Sequence, residues 1–209
     1  MLIKFKVMHL ARFLSHAETL RLMQRACVRA GIDLAYSEGF NPRPKLSLPL
    51  PRSVGIESDD ELCSVQIKQN GSNCDPEQLK TVLQQQLPEG FELTSAEIVS
   101  HRRSFQKALV TYQVTVRDDF SEDLMTEKVK KLTEAEQLIL QRVADKGKSR
   151  RIDVRPFLES IDVSKDEITV RCRFTPTGTV RIDELMQLLE LREENLAGPV
   201  RRIRVNWEN

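Results

Sequence analysis

Residues 2–31, LIKFKVMHLARFLSHAETLRLMQRACVRAG, decide the fold class. Their first seven positions alternate apolar and basic side chains with the period of two expected of a half-buried strand. The pattern then changes period. Ser15 and Glu18 have the S-x-x-E spacing of a capping box, in which each side chain satisfies an orphan backbone N–H, and Gly31 stands where a left-handed C-cap belongs. A helix is therefore expected from about 15 to 30. Along it Leu20, Met23, Cys27 and Ala30 form an apolar stripe, whereas Arg21, Arg25 and Arg29 recur every four residues on another side. One face packs and the other is basic.

Further along, IDLAY (32–36) reads as a short extended run and ELCSVQIKQ (61–69) as a strand. DPEQLKTVLQQQLP (75–88) carries an Asp cap, a proline at the first helical position and Leu79, Val82, Leu83 and Leu87 on one side. FELTSAEIV (91–99) closes as a strand. The second half repeats the order without repeating the letters. ALVTYQVTV (108–116) is a strand and SEDLMTEKVKKLTEA (121–135) a helix. LILQRVA, a Lys/Arg-rich arm and EITVRCRF follow, the first and last as strands, then the helix TVRIDELMQLLEL and the strand RRIRVNWE. The expected fold is α+β: two tandem ferredoxin-like (βαββαβ) sandwiches with antiparallel or mixed sheets. A single continuous mixed sheet is the alternative. The polar stretch SHRRSFQK at about 100–107 is the expected boundary, which gives domains 1–102 and 103–209.

Composition narrows the function classes. Hydrophobic residues at 40% and charged residues at 30% describe a chain that folds. No apolar run reaches the roughly 18 residues of a membrane span, and the first residues lack a signal-peptide pattern, so a cytoplasmic protein without a membrane partner is expected. Cys27, Cys63, Cys74 and Cys172 include no CxxC pair, and His9, His16 and His101 include no i,i+4 pair, so no metal site is expected. Net charge is only +1. Its distribution says more: residues 1–52 hold nine Lys and Arg against three carboxylates, and the remainder of the chain is acidic.

The segment AYSEGFNPRPKLSLPLP (35–51) concentrates stiff backbone. Proline fixes its own φ and pushes the preceding residue into extended conformations, so the segment is no central strand. Gly39 can turn the chain so that Tyr36, Phe40 and Asn41 project while Arg43 and Lys45 follow. A shared pocket of rings and cations beside the first helix is the expectation. The alternative buries Tyr36 and Phe40 beneath a long loop, with the prolines protecting an edge strand.

The run RFLSHAETLRLMQRACVRAGIDLAYSEGFNPRPKLSLPLPRSVGIES (12–58) closely resembles the N-terminal signature of the radical SAM-linked proteins, which open on R-[YF]-L-S-H and centre on Y-S-x-G-F-N-P-x-P-K. The likeness is dense over about residues 11–60 and diffuse afterwards. Members of that family occur joined to, or encoded beside, proteins that look like radical S-adenosylmethionine enzymes. The resemblance thus implies a radical SAM protein as a partner in trans. The cluster spacing CxxxCxxC is absent from this chain, so S-adenosylmethionine and an Fe–S cluster are expected only on the partner and no cofactor on this chain.

Two functions follow as expectations. The first is an accessory RNA-binding or substrate-presenting protein that uses Arg12, His16, Arg21, Arg25, Arg29, Tyr36, Glu38, Phe40, Asn41, Arg43 and Lys45, with Arg52 adjoining. Guanidiniums neutralise phosphates and rings stack on bases. Further basic clusters at 101–103, 146–151 and 201–204 could extend the track. The second is a nuclease or transferase in which His16, with Glu38 or Arg12 nearby, is the general acid or base. A protein-only docking module is the remaining alternative, and no P-loop, GxGxxG, G-x-S-x-G or H-E-x-x-H string supports catalysis.

Overall fold

In the computed structural model, which describes residues 1–68, 75–99, 104–117, 121–143 and 149–208, the chain divides into two units, Met1–Ser104 and Phe105–Asn209. Both are α+β.

The first unit runs β1 (Leu2–Val7), α1 (His16–Arg29), β2 (Leu46–Ser47), β3 (Glu57–Val65), α2 (Pro76–Gln84) and β4 (Phe91–Glu97). Every pairing is antiparallel and the spatial order is β4–β1–β3–β2. The alternation read in the first strand is what makes β1 central: Ile3, Phe5 and Val7 are fully buried, and they share one core with Met23, Ala26 and Cys27 of α1, Leu83 of α2 and Phe91 and Leu93 of β4. Phe5 stacks on Phe91 with centroids 6.1 Å apart. Both helices therefore cover the same sheet face. On the other face Lys4 meets Asp60 at 3.0 Å and Lys6 meets Glu92 at 2.9 Å.

α1 starts at the capping box as expected, with Ser15 Oγ accepting from Glu18 N–H and Glu18 Oε2 accepting from Ser15 N–H. Gly31 sits at φ +69°, where a Cβ would be strained. The buried stripe is rotated slightly from the expected one: Thr19, Met23, Ala26 and Cys27 are buried, whereas Leu20 and Ala30 are half-buried. Gly90, at φ +87°, closes the turn into β4 so tightly that an added Cβ would lie 2.6 Å from Met8 O and 2.8 Å from Ala11 Cβ.

The second unit runs β5 (Lys107–Thr115), α3 (Glu122–Glu134), β6 (Ile139–Val143), β7 (Ser149–Asp153), β8 (Leu158–Ser164), β9 (Glu167–Phe174), α4 (Ile182–Leu189) and β10 (Arg201–Glu208). Its sheet is antiparallel in the order β10–β5–β9–β8. With the separate hairpin β6–β7 set aside, this is the pairing order of the first unit. The hairpin and β8 correct the sequence reading, which placed only a basic arm between LILQRVA and EITVRCRF. β8 carries a bulge between Leu158 and Ser160, so its buried residues Leu158 and Ile161 are three apart and break the period of two.

Arginines hold the departures from this frame. Arg142 of β6 donates to both oxygens of Glu184 at the start of α4, each at 2.7 Å, and to Thr179 O at 3.0 Å. Arg155 donates to the carbonyls of Thr133, Ala135 and Leu158.

Candidate nucleic-acid interface

The period-four arginines of α1 stand on successive helical turns, about 6 Å apart along the axis. They face residues 85–88, the connection between α2 and β4. Together they line a groove of about 600 Å³, with Arg21, Arg25 and Arg29 on one wall, Gln85, Gln86 and Pro88 on the other, and Leu22 and Leu87 supplying apolar surface. Arg29 bridges the two walls: its Nη2 donates to Gln86 O at 2.6 Å and its Nε to Gln86 Oε1 at 3.3 Å. The Arg25 side chain forms no ion pair or hydrogen bond with any described residue. Glu18, the groove's carboxylate, is committed to the helix cap; its pKa is held below the ordinary carboxylate value chiefly by the Ser15 hydroxyl, then by the Ser15 N–H and the charge of Arg21. The groove is thus a row of cations with its one acid turned to the helix start. Its second wall was not legible in the sequence, because tertiary packing alone brings residues 85–88 to α1.

The proline-rich segment forms a finger. Lys45 N–H donates to Ala35 O and Ser37 N–H to Arg43 O, both at 2.8 Å, and Arg43 N–H donates to Ser37 Oγ at 3.0 Å. The base is tied to the end of β3 through Ala35 N–H to Gln66 O and Gln66 N–H to Lys45 O. Gly39 turns the tip at φ +118°. Phe40 is completely exposed, at 106%, and Tyr36 is 43% exposed, so neither is core. Glu38, Asn41, Arg43 and Lys45 are exposed beside them.

The expected single pocket is corrected to two features. Arg21, Arg25 and Arg29 share the groove; Tyr36, Glu38, Phe40, Asn41, Arg43 and Lys45 share the finger; none of the finger residues lines the groove, nor do Arg12 and His16. Arg12 is half-buried, with its guanidinium 4.5 Å above the Phe13 ring, 3.8 Å from Glu57 and donating to His9 O. The side chain of His16, at the first position of α1, hydrogen-bonds to no described residue, so none of them orients it as a general base. Arg52 is a correction too. It is buried, donating to the carbonyls of Arg12 and Ile56 at 2.8 Å and of Leu14 at 3.0 Å, with Glu61 3.8 Å away. It holds the finger's far end against the turn after β1 and offers nothing to a ligand.

Of the other basic clusters, 101–103, Lys146 and Lys148 lie outside the described residues. Arg150, Arg151 and Arg204 are exposed, but Arg202 is fully buried, so the 201–204 run is no continuous track. Among the described residues no three His, Cys, Asp or Glu are grouped as metal ligands. Burial pushes the Cys27 thiol up to about 11 and those of Cys63 and Cys172 well above their ordinary value. Among the described residues no helix is long and apolar enough to cross a membrane.

Fold and site define an α+β protein of two units whose first unit presents a cationic groove and an aromatic finger. The chain belongs to the bacterial family described as "Uncharacterized protein conserved in bacteria (DUF2344)", which matches residues 1–194. No curated protein matches it. A solved structure titled "Crystal Structure of the First Two RRM Domains of Yeast Poly(U) Binding Protein (Pub1)" aligns over 99% of each chain at 12% identity and a TM-score of 0.22, too low to carry an argument.

Proposed function

We propose that this chain is an accessory protein that binds RNA and presents it to a radical SAM enzyme, and that its two units are tandem ferredoxin-like sandwiches. The partner rests on the resemblance carried by Arg12–His16 and Tyr36–Lys45. RNA rests on the groove: Arg25 and its neighbours expose guanidiniums in a row whose one lining acid, Glu18, is committed to the helix cap, which is the arrangement that exchanges bound counterions for phosphates. The aromatic residues Phe40 and Tyr36 stand exposed on stiff backbone, so ordering them against bases costs little entropy. In this reading the chain supplies grip and orientation, and the partner supplies S-adenosylmethionine and its cluster.

The test is fluorescence anisotropy of a labelled 20-nucleotide single-stranded RNA between 50 and 200 mM salt. Binding should weaken steeply with salt, and the Arg21→Glu/Arg25→Glu variant should lose it while unfolding in urea at an unchanged midpoint. Binding indifferent to salt, or undiminished in the variant, overturns the proposal.

The complete exposure of Phe40 favours a second reading, docking of the radical SAM partner through the finger alone. In that case Phe40→Ala abolishes co-purification of the partner while the RNA has no effect on it.

A further inference from the structure

The second unit carries a cationic surface that the groove does not account for. Along β5 the even positions Ala108, Val110, Tyr112 and Val114 are buried, which turns Leu109, Thr111 and Gln113 to the opposite face. The strand register places Arg204 of β10, Thr111 of β5, Arg171 of β9 and Ser160 of β8 side by side across that face. Two strand spacings separate the arginines, about 10 Å. Thr111 between them is only 8% exposed, although it lies on the outward side, because its small side chain sits between two long ones.

The charges on this face are committed unequally. Arg173 pairs with Glu159; Glu167 accepts from Gln113 and Thr169; Asp162 accepts from Ser160 Oγ at 3.1 Å. Arg171 is exposed and its side chain forms no ion pair or hydrogen bond with any described residue. Arg204 is exposed and spends only its Nε, on Asn206 Oδ1 at 3.1 Å. In the first unit the corresponding outward cations, Lys4 and Lys6, are each closed by a carboxylate. A sheet surface bearing two exposed guanidiniums, one without a side-chain partner among the described residues and the other spending only its Nε, complements an extended chain of phosphates.

We infer that the outward face of the β10–β5–β9–β8 sheet, centred on Arg171 and Arg204, is a second contact for the sugar–phosphate backbone of single-stranded RNA. The inference rests on the RNA reading above but not on its groove.

The experiment uses the full chain and a fluorescein-labelled 20-nucleotide single-stranded RNA, titrated at several salt concentrations. Three variants are compared: Arg171→Gln/Arg204→Gln on this face, Arg21→Gln/Arg25→Gln in the groove, and Lys130→Gln/Lys131→Gln on α3 as an equal change of charge elsewhere. The sheet variant should bind at least about 10-fold more weakly and lower the slope of log K against log salt by about 1.4, at roughly 0.7 for each phosphate no longer neutralised. The α3 variant should match the unaltered chain. If the sheet variant binds normally while the groove variant weakens, the inference falls and the groove reading stands. If only the sheet variant weakens, the inference stands and the groove reading falls. Absence of binding by the unaltered chain removes both. An equal weakening in the α3 variant, or equal competition by a polyglutamate peptide of matched charge, overturns the phosphate assignment.

Discussion

The two units solve one problem with opposite chemistry. Each departs from the shared pairing order by an excursion, the finger in the first and the β6–β7 hairpin in the second, and each fastens it with an arginine. Arg52 is buried and spends its guanidinium on the backbone carbonyls of Arg12, Leu14, Ser53 and Ile56, with Glu61 at the edge of ion-pair range. Arg142 instead makes a two-pronged bond to a single carboxylate, Glu184. The first fastening rests chiefly on carbonyls, which do not titrate, whereas the second rests on a carboxylate, which does. The unit that fastens its exposed finger chiefly to carbonyls is also the one that carries the groove.

The largest effect should come from Arg52→Met, which removes the donor to the carbonyls of Arg12, Leu14, Ser53 and Ile56 and a guanidinium 3.8 Å from Glu61, at a cost of about 3–5 kcal/mol. Its reach distinguishes the units. Cys27 and Cys63 report opening of the first unit and Cys172 of the second, since all three thiols are buried and protonated. Iodoacetamide labelling in mild urea, followed by peptide mass spectrometry, should accelerate at Cys27 and Cys63 and stay slow at Cys172. Equal acceleration at Cys172 would mean the units open together, and the comparison would break.

Next in size is Gly90→Ala. The new methyl meets backbone at 2.6 Å and forces a side chain into φ +87°, which costs about 2–3 kcal/mol. In the second unit Gly178→Ala also forces a side chain into a positive φ, +149°, but meets the Phe157 ring at 3.1 Å, and a ring can shift where a carbonyl cannot. Urea midpoints should fall further for Gly90→Ala; the reverse order would show that the turn after β1 yields more readily than its geometry implies.

What could be read in the sequence divides along the same line between local and distant causes. The Ser15–Glu18 box, the Asp75–Pro76 start of α2 and the alternation of β1 are local, and each appears where the letters put it. The strand β8 escaped because a bulge breaks the period on which reading depends. Arg52 looked like one more surface cation because nothing in its neighbourhood of sequence reveals that the carbonyls of Arg12 and Leu14, some 40 positions earlier, converge on it with those of Ser53 and Ile56. The arginine row of α1 was legible, but the wall that makes it a groove was not. Tyr36 and Phe40 were named without a decision between core and surface, because proline stiffness fits either; their exposure decides it.

A smaller effect tests the titratable fastening. Burial alone would raise the Glu184 pKa, but the Arg142 hydrogen bonds, the Arg181 N–H and the nearby guanidinium charges outweigh it and leave the carboxyl below its ordinary value of 4.5. A carboxyl depressed in the folded state stabilises fully above its unfolded value and loses that contribution as pH falls through the folded one. Glu184→Gln should therefore cost about 1.5–2 kcal/mol at pH 7, and the gap to the unaltered chain should close below about pH 4.5. Chemical denaturation from pH 7 to pH 3 measures it, with Cys172 labelling as the local readout. A gap that stays constant across that range removes the distinction between the two fastenings.

The smallest stability change belongs to Phe40→Ala. A ring exposed at 106% has no burial to lose, so the urea midpoint should move by less than about 0.5 kcal/mol. Its consequence lies in recognition. With the finger's backbone bonds intact, RNA affinity should fall by the worth of one stacked base, about 1–3 kcal/mol, while the salt slope set by the arginines stays unchanged. A change of slope instead would mean that the finger positions the cations, and that finger and groove act as one site.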